Sequence, residues 1–143
     1  MKELIVSDKA PAFLELSANR GSIVVVYFYP KDFTAGCTTE ACDFRDLYPR
    51  ITERGAVVLG VSPDPPESHE QFIANHGLPY ALVSDPDHKI CDAYGVWKSK
   101  SMYGRKYLGV ERSTFIIDSE GYIKKIYRKV KVAGHAAEIL AAL

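Results

Sequence analysis

The chain has 143 residues, 25% of them charged, and its 18 Lys+Arg balance its 18 Asp+Glu to a formal net charge of zero. That balance argues against nucleic acid or anionic lipid as a main partner recruited by charge. Three cysteines, an odd and low count, argue against a secreted disulfide scaffold and suit a reducing compartment.

The opening Met1-Lys2-Glu3-Leu4-Ile5-Val6-Ser7-Asp8 holds no long apolar core of a signal peptide, and no run approaches a membrane span. The expectation is one cytoplasmic domain over residues 1–143, with no internal repeat and no low-complexity linker. Asp8 to Leu16 reads as extended, with Pro11 biasing Ala10 toward the β region. Asn19-Arg20-Gly21-Ser22 is a turn. Ile23 to Phe28 is a buried strand by its β-branched and aromatic run, ended by Pro30, which has no N–H for a sheet ladder.

A helix is predicted from about Thr38, with Phe44, Leu47, Tyr48 and Ile51 at three-four spacing, a kink at Pro49 and a stop at Gly55. Ala56 to Ser62 is a second buried strand, and Glu67 to His76 a helix closed by Gly77. Tyr80 to Ser84 forms a strand, and Asp85-Pro86-Asp87 opens a short helix through Tyr94. Gly95 to Gly109 is a polar, aromatic-rich connection; Ser113 to Asp118 and Tyr122 to Tyr127 form a hairpin; His135 to Leu143 is a closing helix. The order predicts an α/β fold, a mixed central sheet with helices on both faces. In such sheets, sites gather at the carboxyl ends of the strands, where Cys37 falls.

Cys37 falls where the helix after the first strand begins. There the positive end of the macrodipole and unpaired N–H groups favour a thiolate, the nucleophilic form. This predicts a reactive, solvent-reachable thiol rather than a buried filler. Cys42 follows at C-x4-C. On an intact helix the two Cα atoms would lie about 9 Å apart, beyond the roughly 7 Å that a disulfide allows, so either they never pair or the first helical turns unravel. C-x4-C also lacks zinc-pair spacing and has no second ligand pair, so no metal is expected. Cys91 reads as a small apolar residue, Glu40 first as a first-turn acid and second as a group orienting Arg112, Thr34 as a turn residue or a site residue, and the four histidines as surface or capping groups. Tyr94, Trp97, Tyr103 and Tyr107 read as an aromatic loop packed on the sheet, in preference to a ligand platform.

Pro30-x3-Thr34-x2-Cys37 resembles the P-x-x-x-T/S-x-x-C signature of peroxiredoxins, and Gly36 to Cys42, G-C-T-T-E-A-C, resembles the PrxQ or bacterioferritin-comigratory-protein subfamily. Asp8-x-Ala10-Pro11-x-Phe13, Val61-Ser62-Pro63-Asp64, Ser84-Asp85, Tyr94-Gly95-Val96-Trp97 and Arg112 to Asp118 extend the similarity over nearly the whole chain. The resemblance implies a thioredoxin-like fold and a thiol peroxidase without metal or organic cofactor, acting on hydrogen peroxide and organic hydroperoxides. It makes Cys37 the peroxidatic and Cys42 the resolving cysteine, joined as an intramolecular disulfide. It makes Arg112 the active-site arginine and Pro30 and Thr34 site-shaping residues, with Gly36 beside the substrate. It also implies a monomer recycled by thioredoxin or a similar dithiol. The alternatives are a thiol–disulfide oxidoreductase on the same fold, or a redox switch that senses peroxide without turnover.

Overall fold

The computed structural model describes residues 3–143; Met1 and Lys2 of the N-terminal reading lie outside them. In chain order the elements are α1 (Leu14–Ala18), β1 (Ile23–Phe28), α2 (Ala35–Glu53), β2 (Ala56–Ser62), α3 (Pro66–His76), β3 (Ala81–Ser84) and α4 (Lys89–Ala93). They are followed by β4 (Trp97–Met102), β5 (Arg105–Val110), β6 (Ser113–Ile117), β7 (Ile123–Tyr127) and α5 (His135–Ala142).

β1 is the centre of the molecule because its side chains are apolar on both faces. Val25, Tyr27 and Tyr29 enter the core shared with Phe44 and Ile51 of α2, Phe72 of α3 and Ile139 of α5. Val24, Val26 and Phe28 enter the opposite core, with Leu59, Tyr94, Phe115 and Ile117. Successive strand residues point to opposite faces, so only a continuous apolar run satisfies both layers.

The sheet order is β3-β2-β1-β6-β7. β1 pairs parallel with β2, in the register Phe28 to Val61, and antiparallel with β6, in the register Phe28 to Ser113. The mixed sheet and the β6–β7 hairpin match the sequence reading. The antiparallel pairing matters most for function, because it sets the start of β6 beside the end of β1.

The structure corrects the reading elsewhere. The extended segment before β1 contains the short helix α1. The connection from Gly95 to Gly109 is a hairpin, β4 against β5, with Trp97 opposite Val110. Its two-residue loop has Tyr103 at φ 53° and Gly104 at φ 78°, both in the left-handed region that tight hairpin turns use. α2 begins at Ala35, three residues ahead of the predicted Thr38, and its assignment runs unbroken past Pro49. Proline lacks the N–H that would pair with the carbonyl four residues back, so the helix forgoes that one bond.

At Gly60 the close approach of neighbours dictates the residue. A Cβ there would lie 2.7 Å from Leu82 Cδ2 and 2.9 Å from the Tyr27 ring. Tyr27 is fully buried and its hydroxyl is 2.9 Å from that of Tyr80, so the ring has little freedom to yield. Gly60→Ala is therefore expected to destabilise the fold by about 1–3 kcal/mol, the usual cost of overpacking, as read by urea denaturation. An unchanged midpoint would show that the Tyr27 ring moves freely.

Candidate active site

The ladder of β1 closes when Tyr29 N donates to Val61 O at 3.1 Å, and Pro30 then leaves the sheet. The loop turns at Phe33, which has φ 66° and lays its ring edge-on to Phe72 at 5.1 Å. Thr34 is the extended N-cap residue of α2, and Thr38 N donates to its carbonyl at 2.9 Å in the first helical bond. Cys37 is the third residue of that helix. Contrary to the solvent-reachable thiol expected, it is only 1% exposed.

Arg112 covers the sulfur. It immediately precedes β6, so the pairing of Phe28 with Ser113 brings it to the end of β1. Its Nη2 donates to Cys37 Sγ at 3.3 Å and its Nη1 to Glu40 Oε1 at 2.5 Å. Cys37 and Glu40 are three residues apart on α2, hence on one face, which lets one planar guanidinium span both. A Cβ at Gly36 would stand 3.4 Å from Arg112 Nη2, an ordinary contact. Thr34 hydroxyl donates to Lys31 O at 2.9 Å, as the turn-residue alternative has it. Among the described residues, neither Thr34 nor the half-buried Pro30 makes a hydrogen bond to Arg112, Cys37 or Glu40.

The electrostatics follow from burial. Burial by itself lowers the Arg112 pKa, but the charges of Glu40 and Cys37 outweigh it and raise the value, so the guanidinium is a fixed cation. Burial pushes the Glu40 carboxyl from the ordinary 4.5 up to about 7, with the Arg112 cation pulling the other way. Among the described residues, Glu40 Oε2 is buried without a hydrogen-bond partner. The first-turn-acid reading of Glu40 is thereby corrected in favour of its second reading, a group that orients Arg112. Its oxygen serves Arg112, 72 residues away in the chain.

A second network, missed in the sequence, locks the loop that leads to Cys37. Asp32 accepts from Tyr29 hydroxyl at 2.6 Å and Ser68 hydroxyl at 2.8 Å, and from His69 Nδ1 at 2.7 Å. Asp64 accepts from Asp32 N at 2.6 Å and from Ser62 hydroxyl at 3.0 Å. Burial alone would raise the Asp32 carboxyl, but the bonds from His69, Tyr29 and Ser68 bring it below its usual range. Asp32, Asp64 and His69 have ligand atoms within 4.8 Å of one another. Protein donors occupy both Asp32 oxygens and Asp64 Oδ2, so the cluster works as a hydrogen-bonded lock on the loop. His69 and His135 are both 3% exposed, which corrects the surface reading of these two histidines.

The three cysteines are free thiols. Cys42 lies on the same unbroken helix as Cys37, at the helical separation of about 9 Å between Cα atoms. Its sulfur is half-buried and 3.8 Å from His76 Nδ1. Cys91 is fully buried, and burial together with Asp85 pushes its thiol far above the ordinary range, in keeping with the apolar reading. Tyr94 is a core residue against Phe28 and Phe115, Trp97 stacks on His88 at 4.2 Å, and Tyr103 is 98% exposed, so these aromatics form no common platform.

A strand-end loop, a cysteine in the first turn of the next helix and an arginine from a neighbouring antiparallel strand make a recognisable set. The sequence pattern of the AhpC/TSA family matches residues 3–126. The chain belongs to that family, as a peroxiredoxin. It is 52% identical to peroxiredoxin Bcp of Bacillus subtilis, over 91% of this chain and 83% of the relative. Among solved structures it resembles the bacterioferritin comigratory protein of Xanthomonas campestris, with a TM-score of 0.85 and 51% identity over 89% of this chain and 81% of that one. It resembles PrxQ of Xylella fastidiosa with a TM-score of 0.92 and 38% identity, over 99% and 96% of the two chains. The thioredoxin-like fold of these peroxiredoxins is thus the fold of this one. No helix among the described residues is long and apolar enough to cross a membrane.

The peroxiredoxin's buried Glu40 makes a signed prediction. A carboxyl whose pKa rises on folding binds its proton more tightly in the native state. Its contribution to stability is therefore full below the unfolded value and lost as pH rises through the folded one. The stability of the native sequence, relative to Glu40→Gln, should fall as pH rises from 4.5 to about 7 and be level outside that window. Urea midpoints across pH check it; a relative stability that rises through the window would reverse the assignment.

Proposed function

We propose that the chain reduces hydrogen peroxide and small organic hydroperoxides through Cys37, with Cys42 as the resolving thiol and the whole chain acting as one catalytic domain. The observation that carries this is the Arg112 guanidinium bonded at once to Cys37 Sγ and to Glu40. Thiol peroxidase chemistry itself comes with the family, and the Xanthomonas relative is described by its alkyl peroxide reduction activity.

The thiolate of Cys37 attacks one peroxide oxygen, the O–O bond breaks, and a sulfenic acid forms while water or alcohol leaves. The departing oxygen gathers negative charge, and a fixed donor aimed at that charge lowers the barrier. Arg112 meets this need without reorganising. Thr34 hydroxyl and the N–H groups near Gly36 and Cys37 hold the peroxide, and Pro30 keeps water from the sulfur.

Cys42 then displaces hydroxide from the sulfenic acid to form the disulfide. The helical separation forbids this in the folded arrangement, so the start of α2 must unwind. Its composition makes that inexpensive. Ala35, Gly36 and Thr39 are exposed, and Gly36, Thr38 and Thr39 are poor helix formers. A dithiol, thioredoxin or a similar protein, reduces the disulfide. The enzyme acts as a monomer in the cytoplasm.

Steady-state peroxide consumption with a thioredoxin system tests the cycle. Cys37→Ser should abolish consumption. Cys42→Ser should complete one turnover at the native rate and then stop. A chain that oxidises once and never cycles, even as the native sequence, would be a sensor rather than a peroxidase.

A further inference from the structure

The resolving step has to move the proton of the Cys42 thiol to the departing hydroxide. A free thiol is only a few per cent ionised near neutrality, while the thiolate is the form that attacks sulfur. A base within reach of Cys42 would therefore gain the step one to two orders of magnitude.

We infer that His76 is the general base for Cys42, a role that rests on the reading of Cys42 as the resolving cysteine. His76 ends α3, and Gly77 follows in the left-handed conformation at φ 59°. Three contacts aim its ring. Arg45 Nη1, from α2, donates to His76 O at 2.8 Å and clamps the end of α3 onto α2. The Phe72 ring meets the imidazole edge-on at 5.1 Å and 75°. Nδ1 then lies 3.8 Å from Cys42 Sγ. Both side chains are half-buried, so the ring exchanges protons with water while remaining in contact with the thiol.

The groups around Cys42 suit a developing anion. From α2 comes the Arg45 cation, with its Nε held by Asp46 at 2.9 Å. Tyr80, just before β3, donates its hydroxyl to Ala41 O at 2.9 Å and so stays a neutral neighbour. Both Arg45 and Tyr80 are within electrostatic range of the Cys42 sulfur.

In the step, Nδ1 takes the Cys42 thiol proton and Cys42 Sγ bonds to Cys37 Sγ. The S–O bond of the sulfenic acid breaks and hydroxide leaves. Hydroxide takes a proton from the imidazolium, directly or through solvent, giving water and neutral His76. The oxidising equivalent is the one that peroxide already delivered to Cys37, so no further reactant enters. The structure places His76 beside Cys42, not beside Cys37; the effect belongs to resolution and not to peroxide attack.

Stopped-flow kinetics on the full chain separate the two phases, since only the first depends on peroxide concentration. In His76→Phe, which keeps the ring contact with Phe72, disulfide formation should slow by roughly tenfold or more near neutrality. The deficit should close as pH rises through thiol ionisation, and added imidazole should restore the rate in His76→Ala. The peroxide-dependent phase is the internal control. Resolution at the native rate across pH, or a slowing that is the same at every pH and deaf to imidazole, would overturn the general-base role while leaving the Cys37–Cys42 cycle intact. Peptide mapping that finds Cys37 joined to anything but Cys42 would overturn both.

Discussion

Arg112 sits between a carboxylate and a sulfur, and the site depends on that bridge. The half-buried guanidinium needs acceptors for the donors it withdraws from water. Glu40 supplies one, and Cys37 Sγ takes another. The bridge is built by two independent pieces of geometry. The antiparallel register of β6 on β1 delivers the cation, and the helical spacing of Cys37 and Glu40 delivers both acceptors on one face of α2. Loss of either would leave a buried charge without its counterpart.

Rigidity and give are distributed around this bridge. Upstream, Asp32 and Asp64 gather donors from β2, α3 and the loop itself, so the chain arrives at Thr34 in a fixed path. Downstream, Ala35, Gly36 and Thr39 at the start of α2 are exposed, although Cys37 between them is buried. The proposed chemistry needs both properties. A rigid cradle suits attack on peroxide, and a first turn that unwinds at low cost suits meeting a second thiol about 9 Å away along the helix. The arrangement keeps most of the core out of the rearrangement, since Phe44 and Ile51 anchor the rest of α2.

Much of this architecture was legible because the strands are buried on both faces. Ile23 to Phe28 and Ala56 to Ser62 are unbroken apolar runs bounded by turn residues, and Cys37 could be placed at a helix start from local pattern alone. The β4–β5 hairpin was not, because Lys98, Ser99, Lys100 and Ser101 show no apolar alternation; only the Tyr103-Gly104 pair hinted at a two-residue turn. α1, five residues long, is too short for periodicity to register. Tertiary pairings were hard to read for a different reason, and the Arg112–Glu40 pair stood only as the second reading of Glu40. Arg112 meets Glu40 across 72 residues and His76 meets Cys42 across 34, distances that only the sheet order and helix packing resolve. A local clue to the first did exist: Glu40 lies one helical turn beyond Cys37, so any cation reaching the sulfur also reaches the carboxylate.

In the proposed reaction the guanidinium of Arg112 stabilises the charge that moves from sulfur to departing oxygen. The most direct measurement is the second-order rate of sulfenic acid formation at Cys37, trapped chemically in a Cys42→Ser background. It should be compared among Arg112, Arg112→Lys and Arg112→Met. Loss of a preorganised donor to a developing oxyanion costs about 10²–10³ in rate, so the methionine variant should fall by that order and the lysine variant by less. If all three form sulfenic acid at rates within twofold of one another, the guanidinium is a structural counter-ion for Glu40, and the account of catalysis given by this site is wrong.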